Sequence, residues 1–150
     1  RAVYTPQVMV GRQANAPWRN PAAFRAAVGS QSGPASAGLA LRLLPRASGG
    51  PRVMLGAAPA GTASAAAQVW LAQYQDGQVT AVRGGENEGT TLRHDRVVHR
   101  LLGPWPLARM PLTRSVSIEP LDGPWGLVAF VQDARGRTLQ SLTLPASPCL

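Results

Sequence analysis

The sequence predicts a mainly β protein, an antiparallel β-sandwich of about 7–8 strands preceded by a short strand and helix. Apolar residues alternate with polar or small ones through most of the chain beyond residue 38. Gly 16 and Pro 14 among 150 residues supply the many turns that short strands need. Asp76-Gly77 lies between two strand-like runs, the strongest short hairpin signal present.

The first segment, Val3 to Val10, is β-rich but interrupted by Thr5-Pro6, and Pro cannot donate to a strand ladder. Gln7 to Val10 is therefore expected as a short buried strand ended by Gly11-Arg12. Asn20 before Pro21 is a helix start, because the Asn side chain accepts orphan N–H groups and Pro at the first position loses none. Phe24, Ala27 and Val28 then form an apolar stripe at i, i+3, i+4, so one helix is expected over Pro21 to Val28, with Gly29 as its stop.

Residues 31–38 have linker composition, and beyond them the apolar period becomes two. Strands are expected around Leu39 to Leu43, Val53 to Leu55, Val69 to Gln75, Gln78 to Arg83, Thr90 to Leu102, Ser115 to Glu119, Leu127 to Asp133 and Thr138 to Leu144. Ala134-Arg135-Gly136 would join the last pair. Thr62 to Gln68 is Ala-rich, but Pro59, Gly61 and the lack of bulky apolar residues favour a loop. The expected units are thus residues 1–30, a linker at 31–38, a sandwich at 39–145 and a tail at 146–150.

Fifteen Arg and no Lys face seven acidic residues, a formal net charge of +8. The arginines are scattered rather than blocked, and the densest group, Arg93, Arg96 and Arg100, holds no aromatic on which a base could stack. No nucleic-acid partner is expected, and the excess Arg reads as a solvated basic surface. No apolar run reaches the roughly 18 residues of a spanning helix, so no membrane span is expected. Cys149 stands alone, which excludes an internal disulfide, a Cys-x-x-Cys pair and a multi-thiolate zinc site within this sequence. Arg1 is not Met and no signal-peptide pattern follows it, so the chain is expected to begin within a protein or after processing.

Three constellations could carry chemistry. His94, Asp95 and His99 with Glu86 are the only ligand-like cluster, but residues 94 and 99 lie on opposite faces of one strand, so no metal is expected. No Gly-x-Ser-x-Gly elbow supports a serine nucleophile. Gly84 to Gly89 resembles a phosphate loop superficially, yet Glu86 and Glu88 would repel phosphate. It is better explained as a connection in which glycines and Asn87 take positive φ. Of the Trp residues, Trp70 is expected in the core with its N–H bonded to backbone, and Trp105 and Trp125 as loop aromatics stapling sheet corners.

Val3-Tyr4-Thr5-Pro6-Gln7-Val8-Met9-Val10-Gly11-Arg12, together with Gly85-Glu86-Asn87-Glu88-Gly89 and the downstream Leu92-Arg93-His94-Asp95-Arg96-Val97-Val98, resembles a bacterial secreted family catalogued as domain of unknown function 1223. The resemblance implies a thioredoxin-like N-terminal half and a β-sandwich C-terminal part, of which this chain would be the C-terminal portion. Thr5-Pro6 would be the cis-proline of the substrate groove, and residues 1–30 the remnant of the thioredoxin-like fold. Gly85, Glu86, Asn87, Gly89, His94, Val97 and Val98 would form the family motif loop, and the location would be periplasmic or secreted. The family's Cys-x-x-Cys is absent from this sequence, so no redox activity and no cofactor are expected of this chain alone. The function expected is an uncharacterised structural or partner-binding module with an unidentified protein partner. Two alternatives stand beside it, part of an envelope thiol-disulfide oxidoreductase and a weak binder of anionic polymers.

Overall fold

A computed structural model describes residues 8–11, 16–31, 33–47, 50–60 and 66–146. Thr5-Pro6, Arg12, most of the Ala-rich stretch before β3 and Cys149 lie outside the described residues. One helix, α1 (Pro21–Gly29), precedes nine strands among the described residues: β1 (Ala37–Ala47), β2 (Gly50–Pro59), β3 (Ala67–Gln75), β4 (Gln78–Ala81), β5 (Thr91–His94), β6 (Val97–Leu107), β7 (Leu112–Ser117), β8 (Trp125–Gln132) and β9 (Thr138–Ala146). The protein is mainly β, and every pairing between strands is antiparallel.

Helix α1 begins as its sequence dictates. Asn20 is extended and its side-chain oxygen accepts from the N–H groups of Ala22 and Ala23, both at 3.1 Å, while Pro21 fills a position that needs no donor. None of its residues is buried. Of the strand expected over Gln7 to Val10, Val10 makes only an isolated bridge among the described residues.

The strands form three sheets, ordered β1-β2-β7, β6-β3-β8-β9 and β4-β5. Alternation along the strands selects one face of each larger sheet for burial, except toward the end of β3, where Ala72 and Tyr74 on the opposite face are buried as well. Val53, Leu55 and Ala57 of β2 share a single buried cluster with Val69 and Leu71 of β3 and with Leu127, Ala129 and Val131 of β8. Leu39, Leu41 and Leu43 of β1 pack on it from one sheet, Leu102, Trp105 and Leu144 from the other. Burying one such Leu or Val contributes roughly 1.5–3 kcal/mol. The odd-numbered positions of β3 therefore decide its register against β8, because a slip by one residue would turn Val69, Leu71 and Gln73 outward.

Several local expectations are corrected. Asp76-Gly77 is not a two-residue hairpin turn, because β3 pairs with β6 and β8 whereas β4 pairs with β5. Thr90 to Leu102 is two strands rather than one, broken at Asp95-Arg96. Trp105 is a strand residue of β6 packed on the core, not a loop aromatic. Trp70 lies on the face of β3 away from the core and stacks on its cross-strand partner Phe130, with centroids 6.3 Å apart and ring planes 12° from parallel. Its Nε1 is shielded from solvent and meets no acceptor among the described residues.

The turn at Ala134-Arg135-Gly136 forms as expected. The Asp133 carboxylate accepts from the N–H groups of Arg135 and Arg137, both at 2.9 Å, and Gly136 takes φ 74°.

Candidate functional site: a kinked β-arm

Two surface grooves formed by described residues of the body carry no free reactive side chain. One lies over Gly38, Ala40, Gly56 and Thr113 and has no titratable side chain in its lining. The other is lined by Gln31, Gly33, Gln140 and Arg137, whose guanidinium is already paired with Asp133 at 3.3 Å. The ionisable residues singled out in the sequence gather instead on the segment between β3 and β6.

That segment is an arm. Gln75 opposes Val97 at the end of the β3–β6 ladder, and Gln78 opposes His94 at the start of β4–β5. Two residues on each strand leave the ladder, so the register is the same on both sides of the break. The arm is thus one ribbon, β3-β4 against β5-β6, interrupted at Asp76-Gly77 and Asp95-Arg96.

The interruption is built reciprocally. The Gly77 N–H donates to Asp95 Oδ1 at 2.8 Å, and the Arg96 N–H donates to Asp76 Oδ1 at 2.7 Å. Each aspartate thereby caps the main chain of the opposite strand, replacing a ladder bond with a charge-assisted one. Gly77 takes φ 70°, which Gly adopts without a Cβ clash. Arg96 takes φ 58°, the one non-Gly residue with positive φ among those described, at a cost of about 1–2 kcal/mol for a residue bearing Cβ. Two further contacts offset that strain. Arg96 Nε lies 3.6 Å from Asp76 Oδ1, and its guanidinium sits 4.3 Å from the centroid of the Tyr74 ring.

Below the kink the base is anchored. Tyr74 is 2% exposed, and its ring lies where a Cβ on Gly126 of β8 would be, which is why that strand position has no side chain. The Asp76 N–H donates to the Pro124 carbonyl at 2.9 Å, and Gln75 Nε2 donates to the carbonyl of Asp122. Gln73, fully buried, donates from Nε2 to the Glu119 carbonyl at 2.6 Å, and Arg100 Nη1 pairs with Glu119 Oε1 at 3.1 Å. The loop between β7 and β8 therefore clamps the root of the arm from one side.

Above the kink the arm stands in solvent. Every residue of β5 is exposed, as are Val79, Thr80 and Ala81 of β4. At the tip, Val82 and Thr90 continue the pairing, the Glu88 N–H reaches the Gly85 carbonyl at 3.1 Å, and Thr90 donates from N–H and Oγ1 to the Asn87 carbonyl. Gly85 and Gly89 supply the positive φ, at 84° and 81°; Asn87, expected to share that role, does not.

Of the expected motif residues, Gly85, Glu86, Asn87 and Gly89 form the tip, His94 ends β5, and Val97 and Val98 begin β6 beyond the kink. They share one ribbon without converging on a point. No group of three His, Cys, Asp or Glu that could hold a metal occurs among the described residues. Residue reading overlooked Asp76, Arg96 and Tyr74 as a unit; the signal was Asp-Gly and Asp-Arg at places where two strand patterns pause together.

No helix of the described residues is long and apolar enough to cross a membrane. No curated protein and no solved structure matches the chain. A family model described as protein of unknown function, DUF1223, matches residues 1–132, from the N-terminal segment through β8 and with the whole arm inside it. The chain belongs to that DUF1223 family.

Proposed function

We propose that this chain is a partner-binding β-sandwich module of a secreted, thioredoxin-like family, and that the arm from Gln78 to His94 is the element that makes contact. The observation that carries it is the contrast between a fixed root and an exposed stem: paired aspartates, a strained Arg96 and a buried Tyr74 hold the arm at one angle, while β5 and the tip bury nothing. A rigid projecting ribbon lowers the entropy lost when a partner binds. The thioredoxin-like and secreted parts of this reading are supported by the Thr5-Pro6 and Gly-Glu-Asn-x-Gly resemblance. With no Cys-x-x-Cys in the sequence, binding rather than thiol exchange is the role assigned to this chain.

Photo-crosslinking tests it. A benzophenone side chain introduced at Asn87, on the tip, should trap a partner in extracts of the source cell, whereas the same group at Thr113 on the body should not. Equal yields from both positions, or none from the tip, would overturn the reading.

A further inference from the structure

We propose that the partner the arm accepts is the arm of a second copy of this chain, docked antiparallel about a two-fold axis along the open edge of β5. This rests on the reading of the arm as the contact element and names its occupant.

The edges come first. Among the described residues β4 and β5 pair only with each other, and β6 is the edge of its own sheet, so an unpaired row of N–H and C=O groups runs along β5 and β6 on one side of the ribbon. Natural edges are usually blunted by Lys or Pro; Pro104 and Pro106 do this at the far end of β6, whereas residues 78–102, which include the whole of β5, contain neither. Exposed apolar side chains stand on both faces: Val79, 58% exposed, beside Arg93 on one, and Leu92 beside Thr80 on the other.

Charge then selects the orientation. The tip carries Glu86 and Glu88 with Arg83 beside them, none in an ion pair among the described residues, on a chain of net charge +8. At the root and on β5, Arg93, Arg96 and Arg100 stand with the carboxylates of Asp76, Asp95 and Glu119. Arg96 and Arg100 already have partners in Asp76 and Glu119, which leaves Arg93 as the cation of β5 that a second molecule can satisfy. With unpaired Glu86 and Glu88 at the tip and unpaired Arg93 on β5, the open edge is self-complementary head to tail. A two-fold axis provides that arrangement, bringing each tip to the other root, whereas parallel docking would set acid against acid. Strand β5 is favoured over β4 because it carries Arg93 and because its open edge is followed by that of β6. Four-residue strands make a small interface, so dissociation in the range of about micromolar or weaker is expected.

Sedimentation velocity over a concentration series reads the assembly directly. The wild-type chain should self-associate, more weakly as salt is raised. Glu86→Arg with Glu88→Arg, or Arg93→Glu alone, should each raise the dissociation constant roughly tenfold or more, and an equimolar mixture of the two variants should restore association. A wild-type chain monomeric throughout would overturn self-pairing, as would association that neither reversal weakens. The two readings separate cleanly. A monomer whose tip still crosslinks to another protein removes the second-copy inference and leaves the contact arm; a dimer that survives replacement of Gln78 to His94 by a short Asn-Gly turn removes the arm from the interface altogether.

Discussion

The body and the arm are built from the same antiparallel ladders but are held by different forces. In the body, Val53, Leu55, Val69, Leu71, Leu127 and Val131 are all fully buried, so apolar burial fixes both position and register. In the arm above the kink almost nothing is buried, and the ribbon keeps its place through main-chain bonds and the reciprocal aspartates at its root. The difference teaches where each part is vulnerable. The body fails when a side chain is shortened, and the arm fails when its root is loosened.

Shortening a core side chain should give the largest effect. Leu71→Ala should destabilise the fold by about 2–5 kcal/mol, read as a lower thermal midpoint, because Leu71 is fully buried in the cluster to which both larger sheets contribute and the cavity collapses only in part. Leu92→Ala on the arm should stay within about 0.5 kcal/mol. Comparable losses from the two would break the distinction between the regions.

Next comes the joint. A methyl group at Gly126 would overlap the Tyr74 ring and press on the Leu144 carbonyl at 3.0 Å. Gly126→Ala should therefore cost about 1–3 kcal/mol, as other overpacked positions do, and displace the Arg96 guanidinium from Tyr74. An unchanged chemical shift at Arg96 Nε, in a variant with an unchanged thermal midpoint, would show that the ring is not wedged there.

The aspartates sharpen the comparison further. Asp76→Ala and Asp95→Ala should each cost only about 1 kcal/mol globally. Amide exchange should nevertheless accelerate over residues 78–94 while residues 67–75 keep their protection. Because each carboxylate caps the strand that bears the other, the double variant should lose less than both single losses added together. Strict additivity would mean that the two bonds are independent and that the kink is not a unit.

Much of the body was legible because its signals are local. Alternation at Leu127 to Asp133 marks a strand that buries one face, that at Val69 to Gln75 marks the strand whose odd-numbered face enters the core, and Asn20-Pro21 marks a helix start that needs no tertiary partner. The arm was legible only in pieces. Asp-Gly offers positive φ and a carboxylate acceptor, and those properties serve a hairpin turn and a kink in a long ribbon equally well. Which one forms depends on whether the next strand folds back or the partner arrives some twenty residues later, and Gln78 pairing with His94 settles that only in three dimensions. Arg96 carries no local mark beyond the Asp95-Arg96 pause in the strand pattern. Its left-handed backbone is held by Asp76 and Tyr74, which lie across the ribbon rather than beside it in sequence.

The smallest effect concerns a third aspartate and separates turn from kink. Asp133 accepts main-chain N–H bonds within its own turn, whereas Asp76 and Asp95 reach across to another strand. The Arg137 N–H holds the Asp133 carboxyl below its ordinary value; the Arg135 N–H and the Arg137 guanidinium add to this, and partial desolvation opposes it. A carboxyl lowered in the folded state contributes stability that is present above its unfolded value and lost as pH falls through the folded one. The β8–β9 turn should therefore loosen only in strong acid, seen as faster exchange at the Arg137 amide. In Asp133→Asn the side-chain oxygen can still accept those N–H bonds but cannot pair with Arg137 or titrate. The difference between wild type and variant should shrink as pH drops through that window, while the Gly77 and Arg96 amides at the kink behave alike in both proteins. A variant that kept the full acid response at the Arg137 amide would assign that response to another carboxyl.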